Sequence, residues 1–300
     1  MMPFLDAIRE TLVATIRESL PDPQAPLLLG TILGIKSGFS PDFYEALRVT
    51  GTLHVVVISG YNISVIINTL ARILGFVPLK VRFALTLGFV FLFVLLVGPE
   101  APVVRAAIMG TIALLGTVLG RQGDALRALF ASGLIMVALS PEWVTELSFQ
   151  LSFLATLGLI ILFPLFDRVL PGKGMFLRED LVTTMAAQVM VWPLIAYHFG
   201  QVSLLSPIVN TLVLWTIPII TYLGLVTATI GSIVNGIPSL IMIPVRPFLD
   251  FFVWIVNLFS SWEVGYFEVS AFSLSGLILY FAILGGGIWF LHQTLAKKQK

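Results

Sequence analysis

A polar group of side chains lies inside an otherwise apolar stretch, residues 51–70, and it offers the most obvious chemistry in the chain. The group comprises His54, Ser59 and Asn62, and Gly60 follows Ser59. Unpaired polar groups are costly in hydrocarbon, so in a bilayer they are expected to face protein or water. A helix broken at Ser59–Gly60 would expose backbone groups that need the same compensation. The segment therefore predicts the lining of a pathway or a binding site.

His54 and Ser59 also suggest a base and a nucleophile, but their spacing turns them about 140° apart on a regular helix. The sequence contains no HExxH, GxSxG, Walker-type or EF-hand motif. It has no cysteine and three scattered histidines, at positions 54, 198 and 292. We therefore predict no enzymatic activity, no metal site and no cofactor.

Arg105 is a charged residue near the start of an apolar segment. Pro102 suits the first turn of a helix, so Arg105 lies about one turn in, where the positive helix end gives a cation no help. Two interpretations stay open. The arginine snorkels or is ion-paired, with Glu100 or Glu146, or it contacts an anion at the outer mouth of a pathway, since guanidinium offers phosphate a fork of donors.

Two polar stripes precede residue 161. Glu146 and Gln150 are four residues apart, as are Ser148, Ser152 and Thr156, so each set shares one face of a helix. Serine and threonine in such positions commonly bond a neighbouring helix. We include Glu146, Gln150 and Ser152 among the candidate lining residues and favour Gln150.

Gln188 and Asn210 lie in apolar segments that also contain Pro193 and Pro207. A proline inside a span frees a carbonyl and kinks the helix, and an amide is costly to leave facing lipid. Packing between helices and the lining of a cavity both explain these residues. Gln188 and Asn210 therefore join the candidate set.

The composition defines the class of protein. Of 300 residues, 58% are hydrophobic and 11% are charged, whereas roughly a quarter are charged in soluble domains. The apolar runs are about 16 to 28 residues long, which suits helices rather than barrel strands. The sequence predicts an all-α, polytopic membrane protein. A net charge of +1 provides no general basic surface for nucleic acid, so any anion contact must be local.

Hydropathy predicts about nine transmembrane segments, some kinked or discontinuous. They cover roughly residues 52–74, 83–98, 102–120, 125–140, 147–167, 181–199, 204–231, 236–262 and 271–294. Apolar residues at helical spacing predict an amphipathic interfacial helix over residues 1–22, lying on the membrane surface or against protein. Short interfacial helices are expected over 23–50, a transmembrane channel domain over 51–296 and a basic cytoplasmic tail over 297–300.

Lysine and arginine collect at one set of the predicted loops. The opposite loops, around residues 99–101, 141–146, 200–203 and 263–270, contain none. Since cytoplasmic loops are enriched in these residues, we predict a multi-pass protein of the cytoplasmic (inner) membrane with its N-terminus outside and its C-terminus in the cytoplasm.

Several ordered motifs resemble the membrane domain of ComEC-type competence proteins. They are LLLGTILGIKSGFS, LRVTGTLHVVVISGYNIS, APVVRAAIMG, GDALRALFASGLIMVALSPEWVTELSFQLSFLATLGLI and WPLIAYHFGQVSLLSPIVNTLVLWTIP. Family members commonly carry a histidine shortly after the Ser-Gly pair, where this chain has Tyr61 and Asn62, so a role for that histidine does not transfer. Many full-length members also carry an outside OB-like domain and a nuclease domain. Neither is seen here, so we expect a short member or an excised membrane domain.

The resemblance implies a channel that moves single-stranded DNA across the cytoplasmic membrane during natural transformation. It implies single-stranded DNA and the lipid bilayer as partners. An outside DNA receptor, a nuclease/OB-like domain and a cytosolic ATP-driven helicase or motor would be supplied separately. One alternative is a secondary transporter or permease for another solute, such as an anion, bound at the broken helix. An intramembrane hydrolase is the less favoured alternative.

Overall fold

The computed structural model describes residues 3–56, 59–121, 123–172, 174–175, 177–234, 238–262, 266–268 and 273–297, and these are nearly all helical. The helices are α1 (Pro3–Ser19), α2 (Gln24–Leu33), α3 (Pro41–Val49), α4 (Gly60–Ile73), α5 (Leu79–Val97), α6 (Ala101–Val118), α7 (Ala125–Leu139), α8 (Leu147–Ile161), α9 (Phe163–Val169), α10 (Arg178–Phe199), α11 (Ser206–Val213), α12 (Thr216–Ile233), α13 (Pro238–Ile241), α14 (Arg246–Ser260) and α15 (Leu274–Lys297). Residues 298–300 of the predicted basic tail lie outside the described residues.

Four of the described helices, α5, α6, α10 and α12, are long and apolar enough to cross a membrane. Helices α8 and α9 make a fifth candidate, a broken span or re-entrant loop bent by 45°. Helices α2 and α7 and the first part of α15 are apolar but shorter. The predicted helical class is confirmed with four or five candidate spans. The count of nine stays a prediction.

Breaks in the predicted segments account for part of the lower number. Helix α4 begins at Gly60 and has 14 residues, fewer than the roughly 20 that a bilayer requires. The predicted segment 204–231 is divided into α11 and α12, and both helices carry a proline in the first turn, Pro207 and Pro218. Proline fits there because its missing N–H would have no partner within the helix.

Helix α2 lies at the centre of the largest hydrophobic core. All its residues from Ala25 to Leu33 are buried, and the core also includes Leu12 and Ile16 of α1. The predicted amphipathic helix at the N-terminus is therefore present, and protein covers its apolar face. Helix α2 is wrapped by α1, α5, α12 and α14, so protein rather than lipid surrounds this short apolar helix.

Helices α4, α6 and α8 begin at the same end of the molecule. Gly60 lies against Pro102 and Arg105, and Gly110 lies against Ile67, so α4 and α6 run parallel. Helix α7 leads back from α6 to α8, and Arg105 contacts the backbone of Ser152 near the start of α8. Arg105 therefore lies beside the first residue of α4 and more than one turn into both α6 and α8.

Pro193 lies inside α10, which continues to Phe199. A proline has no N–H to offer the carbonyl four residues earlier. That carbonyl, on Val189, instead accepts a hydrogen bond from the Tyr280 hydroxyl at 2.9 Å. Helix α15 therefore supplies the bond that the proline removes.

The small departure from the all-α prediction is an antiparallel pair of strands, β1 (Gln201–Ser203) and β2 (Tyr266–Glu268). Val202 pairs with Phe267 in this register. Both strands lie in loops that the charge pattern assigned to the outer side, and their pairing is compatible with that assignment. The orientation itself stays a prediction.

Candidate functional site

Arg105 is a buried cation, with 8% of its surface exposed. Its Nη1 donates a hydrogen bond to the Ser152 carbonyl at 2.9 Å. Its Nη2 lies so close to Gly60 that a Cβ at position 60 would be 2.5 Å away. Its buried Nε has no hydrogen-bond partner. The guanidinium is therefore held between α4 and α8 with donors to spare.

The predicted carboxylate partners of Arg105 are engaged elsewhere. Glu100 forms an ion pair with Lys36 at 2.9 Å. Glu146 is exposed and accepts a hydrogen bond from Ser148 at 3.3 Å. Within the described residues no carboxylate forms an ion pair with Arg105, and its burial argues against snorkelling. The ion pair with Glu100 or Glu146 that the sequence suggested is therefore not found among the described residues, and contact with an anion stays a prediction.

The helix ends around Arg105 make the site more electropositive. Each helix N-terminus carries the equivalent of roughly half a positive charge, and α4, α6 and α8 all start on this side. Their N-cap residues, Ser59, Glu100 and Glu146, do not cap the helices with their side chains. The carboxylates of Glu100 and Glu146 offset this charge at the starts of α6 and α8, whereas the first turn of α4 contains no acidic residue. The arrangement is thus suited to a negatively charged ligand.

Gln188 and Asn210 meet at a second group, centred on Ser206. The Ser206 hydroxyl accepts a hydrogen bond from the amide of Gln188 and another from the amide of Asn210, the latter at 3.0 Å. It donates to the Gly51 carbonyl at 3.3 Å. A hydroxyl has one donor and two acceptor sites, so Ser206 is saturated. The Ser206 group joins α10, α11 and the segment after α3.

Gly51 is required at that contact. Its φ is +67°, and a Cβ there would lie 2.6 Å from the Cβ of Ser206. Both facts favour glycine. The Ser206 group carries no charge. Its geometry is that of a packing contact between helices.

Asn62 connects α4 to α2. It is 1% exposed, and its amide donates to the Thr31 carbonyl at 2.9 Å. Since α2 ends two residues later, the Thr31 carbonyl receives no hydrogen bond from a backbone N–H of the helix. Asn62 therefore supplies a bond that the end of α2 lacks, and its Oδ1 has no partner.

The other predicted residues are bonded locally or exposed. Gln150 donates to the Val144 carbonyl at 3.0 Å. His54 is exposed in a turn, Ser59 precedes α4, and no hydrogen bond joins these two side chains in the described part of the chain. A cavity of 370 Å³ lies between α3 and α14. Its lining includes Ser40, Asp42 and Asn257, and none of the candidate pathway residues.

The structure thus brings Gly60, Arg105 and Ser152 together and places Gln188 and Asn210 in a separate group. Sequence reasoning missed Ser206 and Gly51. A signal for Ser206 was present, because Ser206 and Asn210 are four residues apart and share a helix face. No comparable signal pointed to Gly51, whose partner is 155 residues away.

These features define a helical membrane protein in which a buried arginine, near the starts of three helices, has no acidic partner among the described residues. The chain belongs to the competence protein family, since the family model described as Competence protein matches residues 31–294.

Two relatives show the extent of the similarity. ComE operon protein 3 of Bacillus subtilis (strain 168) is 26% identical over 236 residues, covering 78% of this chain and 29% of that protein. An uncharacterized protein of Aquifex aeolicus (strain VF5) is 28% identical over 219 residues, covering 71% of this chain and 51% of that protein. The chain thus spans about a third and about half of these relatives. No solved structure matches.

Proposed function

We propose that this chain is the membrane channel through which single-stranded DNA crosses the cytoplasmic membrane during natural transformation. Membership of the competence protein family supports the process. The observation that carries the channel proposal is Arg105, a buried cation without an acidic partner among the described residues, at an end where three helices start.

The physics of transport favours a site of this kind. A phosphate chain cannot enter hydrocarbon uncompensated, because burying an isolated charge is very unfavourable. A conducting pathway must also release its cargo, so contacts should be few and weak. One buried arginine offers a contact of that strength. It leaves tight binding and driving force to other components.

Membership of the competence protein family suggests what those other components are. The sequence has no nucleotide-binding motif, so a cytosolic ATP-driven helicase or motor would pull the strand. A DNA receptor outside the cell and a nuclease/OB-like domain would deliver it. The predicted orientation, with the N-terminus outside, places the start of α6 and Arg105 at the side from which DNA arrives.

A transporter for a small anion is the second candidate. Helix α4 starts abruptly at Gly60 with no side-chain cap, and discontinuous helices present their N-termini to anionic substrates in several transporters. The same arginine would then bind one free anion rather than successive phosphates of a strand.

The fate of labelled DNA distinguishes the two. In a transformable strain lacking the family gene, radiolabelled duplex DNA should remain outside and sensitive to added nuclease. Complementation with the full-length gene should move label from one strand into the cytosol. Continued entry of label in the deletion strain, together with a loss of phosphate or other anion uptake, would refute the channel and favour the transporter.

A further inference from the structure

We infer that Arg105 and the N-terminus of α4 together bind a single phosphate group, and this inference rests on the proposed passage of DNA. The phosphate-binding seat, as we define it, consists of the Arg105 guanidinium and the backbone N–H groups of Gly60 and Tyr61. Two independent features meet there, a free helix end and a buried, partly unpaired cation.

The free helix end comes from α4. The side chain of its N-cap residue, Ser59, does not bond the helix amides. The Asn62 N–H turns back to the Ser59 carbonyl at 3.1 Å, whereas the N–H groups of Gly60 and Tyr61 have no acceptor among the residues described. Free amides at the positive end of a helix form a ready anion-binding site.

The cation lies against that same helix end. Arg105 is 92% buried, since 8% of its surface is exposed. Its Nη1 is occupied by Ser152, while Nε has no partner and Nη2 faces Gly60. Nη2 of the guanidinium therefore lies beside Gly60, the first residue of α4, whose amide is free among the described residues.

Gly60 makes this approach possible. A Cβ at position 60 would lie 2.5 Å from Nη2 of Arg105 and 3.3 Å from the Cβ of Ala106. Any other residue would push the guanidinium away from the start of α4. Gly60 is therefore a positioning residue for the seat, which explains why glycine follows Ser59.

The chemistry of the seat identifies the class of ligand. A planar fork of N–H donors and a pair of backbone N–H groups match the oxygens of a phosphate. These groups provide no base-specific contact. The seat would therefore bind the phosphodiester backbone of DNA of any sequence. It would hold one phosphate at a time, which allows the strand to move.

The test uses the full chain purified in detergent and a fluorescein-labelled oligothymidylate, with binding followed by anisotropy. Wild-type protein should bind the oligonucleotide, inorganic phosphate should compete, and a methylphosphonate oligonucleotide with an uncharged backbone should not bind. Gly60→Ala and Arg105→Gln should each weaken binding of the charged oligonucleotide at least about tenfold.

Gly110→Ala is the matched control. It lies at the same α4–α6 contact, and its new Cβ would meet the tip of Ile67 at 2.4 Å, an apolar and flexible neighbour. It tests crowding between the two helices without touching the guanidinium. Binding by Gly110→Ala should equal that of wild type. Should Gly60→Ala fail to fold, Arg105→Gln alone decides.

The outcomes test the phosphate-binding seat and the DNA channel as separate hypotheses. If Gly60→Ala and Arg105→Gln bind phosphate and oligonucleotide as tightly as wild type, the seat is wrong, although DNA entry in cells stands. If inorganic phosphate binds through both residues and the oligonucleotide does not bind, the seat is correct and the DNA channel is wrong. Equal weakening by Gly110→Ala would also overturn the role of Gly60.

Discussion

Replacing Arg105 with glutamine should reduce transformation about 10- to 100-fold, since hydrogen bonds to a charged group contribute about 1.5–3 kcal/mol and about 1.4 kcal/mol corresponds to a tenfold change. The guanidinium is the one group of the site with a full charge, and glutamine retains polarity without it. The measurement is the frequency of transformants, normalised to the amount of the protein in the membrane.

The stability of Arg105→Gln should stay equal or rise. Arg105 has no ion-pair partner in the described part of the chain, so removing the charge removes a desolvation cost. The Ser152 carbonyl that it contacts keeps another donor, the Thr156 hydroxyl at 3.0 Å. A purely structural arginine would behave in the opposite way, because its loss would destabilise the protein.

Arg246→Gln provides the control for charge. Arg246 lies at the start of α14, its side chain is 57% exposed, and its Nε is 3.7 Å from Asp250. Exposed pairs of this kind contribute little, so transformation should not change. If Arg105→Gln transforms like wild type, or if both variants lose activity equally, the assignment of Arg105 fails.

Replacing Gly30 with alanine should destabilise the protein by about 3 kcal/mol or more, because overpacking typically costs about 1–3 kcal/mol and here the obstacle is backbone. Gly30 lies in the fully buried α2, and a Cβ there would be 2.0 Å from the Val56 carbonyl oxygen. Alanine normally stabilises a helix relative to glycine by about 1 kcal/mol. The clash between the new Cβ and the Val56 carbonyl costs more than this, so the net effect on the free energy of unfolding is destabilising. Unfolding by denaturant in micelles measures the change.

Gly224→Ala is the matched substitution on the opposite side of α2. Its Cβ would lie 2.3 Å from Cδ1 of Leu28, the end of a flexible side chain that can rotate away. We expect a change within about 1 kcal/mol, as the gain in helix propensity offsets the repacking. Equal stability of the Gly30→Ala and Gly224→Ala proteins would show that the approach of residue 56 to α2 is not as close as described.

Local sequence patterns predicted the helices well. The long apolar runs near 83–98, 102–120 and 181–199 correspond to α5, α6 and α10, because a continuous apolar stretch bounded by glycine, proline or charge admits few other structures in a membrane. Helix α4 begins at Gly60, later than the span predicted from residue 52, and the sequence raised a break at Ser59–Gly60 only as one alternative. The burial of α2 was not foreseen, since its short apolar sequence does not reveal what surrounds it.

Contacts between residues that are distant in sequence limited how much of the candidate site could be predicted. Glu100 was a reasonable guess for Arg105 but pairs with Lys36, which comes from the loop after α2. Gln188 and Asn210 were singled out as polar residues, yet their shared partner Ser206 depends on how α10 and α11 pack. Spacing along one helix predicts a common face, whereas contacts between helices depend on packing that no local pattern encodes.

Cross-linking of DNA in transit tests the central claim most directly. Tyr61 follows Gly60 and its side chain is 47% exposed, so a photoreactive amino acid at position 61 would sit beside the phosphate-binding seat. The control position is Trp254 of α14, which is 58% exposed. During transformation, illumination should join incoming labelled DNA to position 61 but not to position 254. Cells that take up DNA normally without any cross-link at position 61 would contradict the account.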